Sequence, residues 1–284
     1  MQANTSPSGS RFSSILRKLV PECGNPACPS NVLRRALTPH HSGVKIGADW
    51  YCRVECLAQV TKGMIEDLMA APGKPSKAHS SRVPLGLLLL SRGILTSEQL
   101  RVSLDHQRAN ELDFGAAVQQ LGFATQEQVT AAVAAQWACP VFPLGTRPLE
   151  VRMKIPRRFV DLYEMLPVHY AENDRRLMIG FVRSVQHQLL YTIGHITSCT
   201  VVPCFVTARE YEAHLNSSAS SFDRDCEVVF DQISETEEIA RVTTNYLVQL
   251  AAGKVRLGKC RDYLWARIWG RKQEIDLLFR VKGD

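Results

Sequence analysis

Residues 84–136 carry the same unit twice, at a constant offset of 29. Gly86 maps onto Gly115, Gly93 onto Gly122, Thr96 onto Thr125, Glu98 onto Glu127, Gln99 onto Gln128 and Gln107 onto Gln136. The apolar positions follow: Leu85 with Phe114, Leu89 with Val118, Ile94 with Phe123, Leu100 with Val129, Leu104 with Val133. An internal repeat restricts the architecture before any other argument applies. Each copy reads as a short helix, a glycine stop and a second helix. Thr96 with Gln99, and Thr125 with Gln128, are capping boxes of the form T-x-x-Q. Leu100 and Leu104 then lie on one helix face, at i and i+4.

The leucine-rich start of the first copy, "VPLGLLLLSRG", is no membrane anchor. Gly86 interrupts it and Ser91-Arg92 ends it, far short of the ~20 apolar residues that span a bilayer. The N-terminus "MQANTSPSGSRFSSILRKLV" lacks a long apolar stretch and a small-residue cleavage site, so no secretory signal is read. A cytoplasmic location is expected, and there nine cysteines need not pair. The 284 residues suffice for about two domains, and 45% hydrophobic content allows a packed core. The net charge of +6 is uneven: basic ends flank an acidic middle over 83–251. Solvated surface explains this better than nucleic acid or lipid binding.

Along the chain, 1–20 is polar and Ser-rich and reads as a disordered N-terminus, with "RFSSILRKLV" as a short basic amphipathic helix. Residues 21–70 hold four cysteines. Residues 71–82, "APGKPSKAHSSR", are a linker. The helical repeat occupies 83–145. Residues 150–216 read as mixed α and β: a helix over Pro156–Met165, strands "LPVHY" and "RLMIGFV", a helix in "SVQHQLLYTIGH", a strand "TVVPCFV", and a last helix capped by Thr207 and Glu210. Pro203 places its strand at a sheet edge or a bulge. Residues 217–233 are a second linker. Residues 234–284 read as a helix capped by Ser234 and Glu237, then a hairpin of "YLWARIW" and "IDLLFRV". The expected class is α+β: a small finger, a helical repeat, a small α/β part, and a helix with a hairpin.

Cys23-x4-Cys28 and Cys52-x3-Cys56 are two close pairs separated by a loop. Four soft ligands arranged this way suit one tetrahedral Zn²⁺, in a structural site with no open position for catalysis. "DWYCRVEC" reads as a knuckle running into a helix start and resembles the end of treble-clef-type zinc fingers. His40 and His41 lie between the pairs as alternative ligands. Unrelated buried thiols are the competing reading. Cys139, Cys199, Cys204, Cys226 and Cys260 lack paired spacing and read as small core residues.

"GKVRLGKC", Gly253–Cys260, imitates a phosphate-binding loop but ends in cysteine where a hydroxyl must hold Mg²⁺. It also follows a helix and precedes a hairpin, so no helix N-terminus receives a phosphate. No nucleophile elbow or zinc-protease motif occurs, and His106, His169, His187, His195 and His214 have no partner spacing. The chain reads as a non-enzyme.

With these residues in view, "PLGLLLLSRGILTSEQLRVSLDHQ" and "DFGAAVQQLGFATQEQVTAAVAAQWACPVFPL" resemble the tandem motif of the N-terminal domain of type II secretion and type IV pilus assembly ATPases. "IPRRFVDLYEMLPVHY" and "VTAREYEAHL" are similar to that domain's second half, which extends the resemblance over 83–216. Residues 234–284 look like a degenerate start of the next ATPase subdomain, and the catalytic domain is absent. The resemblance implies a stand-alone docking or regulatory module, with a protein of that secretion or pilus machinery as partner.

It also implies a ligand, since some family members bind cyclic di-GMP through this motif. Carried over, Leu85, Gly86, Leu89, Gly93, Leu100 and Gln107 form one half-site, and Phe114, Gly115, Val118, Gly122, Val129 and Gln136 the other. The family's motif arginines are missing: Pro84 and Asp113 stand in their places, with Arg82 and Arg108 nearby. A purely structural repeat explains the same glycines and leucines. Three functions follow in order: a protein-interaction adaptor, a cyclic di-GMP receptor, and last a DNA-binding regulator using the finger, which lacks a basic helix with interleaved aromatics.

Overall fold

A computed structural model describes residues 22–29, 43–71, 82–145, 155–217 and 226–281. The amphipathic segment in 1–20, the linker 71–82 before Arg82 apart from Ala71, and His40 and His41 lie outside the described residues. The chain divides into two units: Met1–Pro72 with Asp225–Asp284, and Gly73–Arg224.

The first unit begins with strands β1 (Val44–Ile46) and β2 (Asp49–Tyr51), an antiparallel hairpin with Ile46 opposite Asp49. Its two-residue loop has Gly47 first, at φ +61°, as a type II′ turn requires. A side chain there would also come within 2.9 Å of the Gly253 carbonyl oxygen. Helix α1 (Val54–Ala70) follows and buries Cys56, Leu57, Thr61 and Ile65.

The second unit opens with α2 (Leu85–Ser91), α3 (Ser97–Asn110), α4 (Phe114–Gln120) and α5 (Gln126–Gln136). Both capping boxes form: Thr96 accepts from the Gln99 N–H at 3.2 Å and Gln99 from the Thr96 N–H at 2.9 Å, with Thr125 and Gln128 bonded alike at 3.2 and 2.8 Å. Then come α6 (Arg157–Tyr163), β3 (Met165–Ala171), β4 (Arg176–Phe181), α7 (His187–Thr197), β5 (Thr200–Phe205) and α8 (Ala208–Ser217). Strands lie in the order β3-β4-β5, antiparallel then parallel, with α7 as the crossover. Pro203 sits in the edge strand β5, with its missing N–H on the side away from β4. The Thr200 N–H goes to Arg175, whereas the Phe205 N–H goes outward to Pro140 at 2.9 Å. Thr207 and Glu210 cap α8 as expected, and Glu210 also accepts from the Leu144 and Gly145 N–H groups at 3.0 and 3.3 Å. Burial opposes its ionisation, but these donors together hold its carboxyl below the usual range.

The chain returns to the first unit with β6 (Glu227–Phe230), α9 (Thr236–Gln249), β7 (Lys254–Cys260), β8 (Tyr263–Trp269) and β9 (Glu274–Arg280). Strand order is β6-β9-β8-β7. The sequence reading foresaw only α9 and the β8–β9 hairpin. Strand β6 lies inside the expected linker 217–233, and β7 is formed by the residues that imitate a phosphate loop. The cap also differs: α9 starts after Glu235, without a side-chain cap bond, one residue later than Ser234. The sequence treats 21–70 and 234–284 as separate segments, but they contribute to one core. Cys56, Leu57 and Ile65 join Ile239, Leu247, Leu264, Ile268, Leu277 and Phe279. Lys62 on α1 pairs with Glu237 on α9.

On the opposite face of the hairpin, Arg267 and Asp276 are buried directly across from each other. The guanidinium is bidentate, with Nε donating to Oδ1 at 2.8 Å and Nη2 to Oδ2 at 2.7 Å. The Trp265 indole N–H donates to Oδ1 at 2.7 Å.

Candidate functional sites

The four cysteines come together. Cys23 lies beside Trp50 in an isolated parallel bridge, Cys52 follows β2, and Cys56 is in the first turn of α1. All four sulfurs lie within 4.8 Å of one another, with Cys28–Cys52, Cys52–Cys56 and Cys56–Cys28 separations of 3.5, 3.6 and 3.7 Å. A disulfide needs about 2.0 Å. A tetrahedron with Zn–S of about 2.3 Å places its sulfurs about 3.8 Å apart. The set therefore fits a zinc ion, with every position closed by protein.

Surrounding donors suit thiolates. The N–H groups of Cys52 and Asn25 bond the Cys23 sulfur, and the Arg53 guanidinium bonds those of Cys52 and Cys56. The positive end of α1 adds to this. Asn25, unremarked in the sequence, is buried and orders the first pair's loop. Its carbonyl accepts from the Cys28 N–H at 3.0 Å, its Oδ1 from the Ala27 N–H at 2.9 Å, and its Nδ2 donates to Gln59 on α1 at 2.7 Å. The Asn-Pro pair inside Cys-x4-Cys was the available signal.

Without an ion, burial and the neighbouring thiols push Cys56 up to about 12, and burial pushes Cys23 up. Each such thiol must lose a proton to ligate, so zinc affinity rises with pH and falls in acid, by up to about tenfold per proton per unit. Competition with a chromophoric chelator at pH 7 and pH 5 should show that loss; a pH-independent affinity would contradict it.

In the repeat, the copies exchange partners. Helix α2 packs on α5, and α4 packs on α3, so each first helix lies on the other copy's second helix. Gly86 and Gly115 sit where each first helix meets its own copy's second helix and the other copy's first. A Cβ on Gly86 would meet Leu100 at 2.6 Å and Phe114 at 3.0 Å; one on Gly115 would meet Val129 at 3.0 Å and Leu85 at 3.8 Å. Gly93 and Gly122 share φ +69° and the same helix-ending bonds, from Ile94 to Leu89 and from Phe123 to Val118. Gly93→Ala and Gly122→Ala should each cost about 1 kcal/mol in urea unfolding, and equally, since the strain is the same.

The twelve candidate residues thus divide. Leu89, Gly115, Val118 and Val129 are buried; Leu85, Gly86, Leu100, Gln107, Phe114 and Gln136 are half-buried; Gly93 and Gly122 are exposed. Gln136 donates to the Val83 carbonyl at 2.7 Å, whereas Gln107 takes part through its carbonyl, which accepts from Glu111 and Leu112.

At the arginine positions the chain has helix caps. The Pro84 carbonyl accepts from Leu87 and Leu88, and the Asp113 carboxylate accepts from the Ala116 N–H at 3.0 Å. Nearby cations have partners. Arg82 stacks on Trp137, 3.3 Å from the ring centroid; Arg108 pairs with Asp105; Arg92 donates to the Ala131 carbonyl. Arg183, from the loop after β4, reaches Asp113 at 3.5 Å and Glu164 at 2.7 Å. No sequence signal links it to the repeat.

No helix among the described residues is long and apolar enough to cross a membrane. No family model and no curated protein matches the sequence. Solved structures do. MshE with cdg is 20% identical over 48% of this chain and 99% of that one, with a TM-score of 0.41. The N-terminal domain of XpsE is 15% identical over 50% of this chain and 96% of that one, at 0.37, and a second crystal form of it is 18% identical over 50% and 97%, at 0.29. At these identities and scores, function has to be argued from the chain's own residues.

Proposed function

We propose that the chain is a non-catalytic cytoplasmic docking protein. Its Gly73–Arg224 unit would engage a protein of a type II secretion or type IV pilus assembly machine, and its four cysteines hold a structural zinc ion. The observation that carries this reading is the closure of the repeat on itself. Leu100, Phe114 and Val129 fill the space beside the motif glycines, and Pro84 and Asp113 serve as caps where charged contacts to a phosphate would be needed. Exposed apolar side chains remain at the head of the repeat, with Val83 51% and Leu87 48% exposed. Calorimetry of the zinc-loaded chain against the purified ATPase and platform proteins of such a machine tests it. Leu87→Glu should weaken the interaction at least tenfold; no binding to any of them, or an unaffected variant, refutes the reading.

The reciprocal packing of the two copies favours a second reading, a cyclic di-GMP receptor, because Gly86 lies against Phe114 and Gly115 against Leu85, a relation that suits a ligand with two matching halves. Heat on titrating cyclic di-GMP would support it.

A further inference from the structure

We infer that Met1–Pro72 and Asp225–Asp284 form one metal-organised domain, interrupted in sequence by Gly73–Arg224, so that losing the ion at Cys23, Cys28, Cys52 and Cys56 unfolds the C-terminal sheet along with the finger. The inference rests on the zinc reading and extends it to residues more than 170 positions away.

Helix α1 is the link. Its first turn carries Cys56, 2% exposed, which is both a ligand candidate and a member of the shared core. The next residues inward, Leu57 and Ile65, belong to one buried cluster with Ile239 and Leu247 of α9 and with Leu264, Ile268 and Leu277 of the sheet, and α1 packs on α9 and on β7. The hairpin touches the sheet as well, because the Gly47 backbone lies against the Gly253 carbonyl at the start of β7. A segment as short as 21–70 buries too little of its own surface to hold α1 in place unaided. Strands β1 and β2 have three residues each. Four neutral thiols make only weak contacts with one another, so the ion fixes the start of α1, and α1 packs on α9 and on β7. Removing the ion frees α1 and uncovers the apolar face of α9 and the side of β7 against which α1 packs, and that exposure destabilises the one core they share.

Hydrogen exchange on the full chain, read by mass spectrometry with zinc bound and after chelation under reducing conditions, tests this. Protection in 54–70, 236–249, 263–269 and 274–280 should fall together, by at least a hundredfold, while 97–110, 126–136 and 176–181 keep theirs. Reciprocally, Ile239→Ala in the buried face of α9 should lower zinc affinity about tenfold by chelator competition, although Ile239 is no ligand. Retained protection in β8 and β9 after chelation, or unchanged zinc affinity in the Ile239 variant, overturns the inference and leaves the zinc site standing. A purified chain that binds no zinc overturns both.

Discussion

Cys56→Ser is expected to abolish tight zinc binding and to unfold the unit containing Met1–Pro72 and Asp225–Asp284. Cys56 has sulfur neighbours at 3.6 and 3.7 Å and, at 2% exposed, is the most deeply buried of the four cysteines. Serine offers a hard, far more weakly acidic oxygen in place of a soft thiolate. A structural zinc site contributes on the order of 10 kcal/mol to folding, comparable with the whole stability of an ordinary domain. Zinc content by mass spectrometry should fall from one per chain to near zero, and tryptophan fluorescence should show Trp265 and Trp269 losing their native environment. Wild-type spectra and full zinc occupancy in the variant would show that the cysteines do not hold the domain.

Asp276→Ala should cost about 3–5 kcal/mol, because it strands the buried Arg267 guanidinium and removes the acceptor of the Trp265 indole N–H. Loss of the pair as a unit is different. Arg267→Met with Asp276→Leu leaves no uncompensated charge, so the double variant should recover most of the stability lost in Asp276→Ala. Urea unfolding with zinc saturating measures both. A single variant within about 1 kcal/mol of wild type would mean that the arginine finds water or another partner.

The parts of this fold written in local pattern were legible in the sequence. The repeat was readable because Thr96, Gln99, Thr125 and Gln128 sit at capping-box spacing, and both boxes form. The cysteine cluster was readable because two close pairs imply one tetrahedron, and the sulfurs do converge. Pro203 announced an edge strand or a bulge, because a missing N–H must face away from a ladder, and its strand lies at the edge.

What was illegible depends on partners distant in sequence. An apolar face on α9 says that something covers it, not that α1 does, 180 residues earlier. Residues 253–260 resembled a phosphate loop because two glycines and two lysines punctuate them, yet pairing with β8 makes 254–260 a strand. Arg183 reaches Asp113 through the packing of the α/β part on the repeat, which no periodicity in either segment encodes. Asn25 was missed for a milder reason: its turn chemistry was visible, but its bond to Gln59 was not.

In the proposed docking role the repeat acts through protein contact and not through a bound dinucleotide. Pro84 and Asp113 cap helices, Arg82 lies on Trp137, Arg183 is held by two carboxylates, and the glycine crossings are filled by aliphatic and aromatic side chains. Two lost charge-assisted contacts correspond to several kcal/mol of affinity, on the order of a thousandfold or more. Titration calorimetry of cyclic di-GMP into the folded, zinc-loaded chain tests this most directly. The account predicts no saturable heat up to high micromolar ligand; a saturable isotherm with one ligand per chain would contradict it.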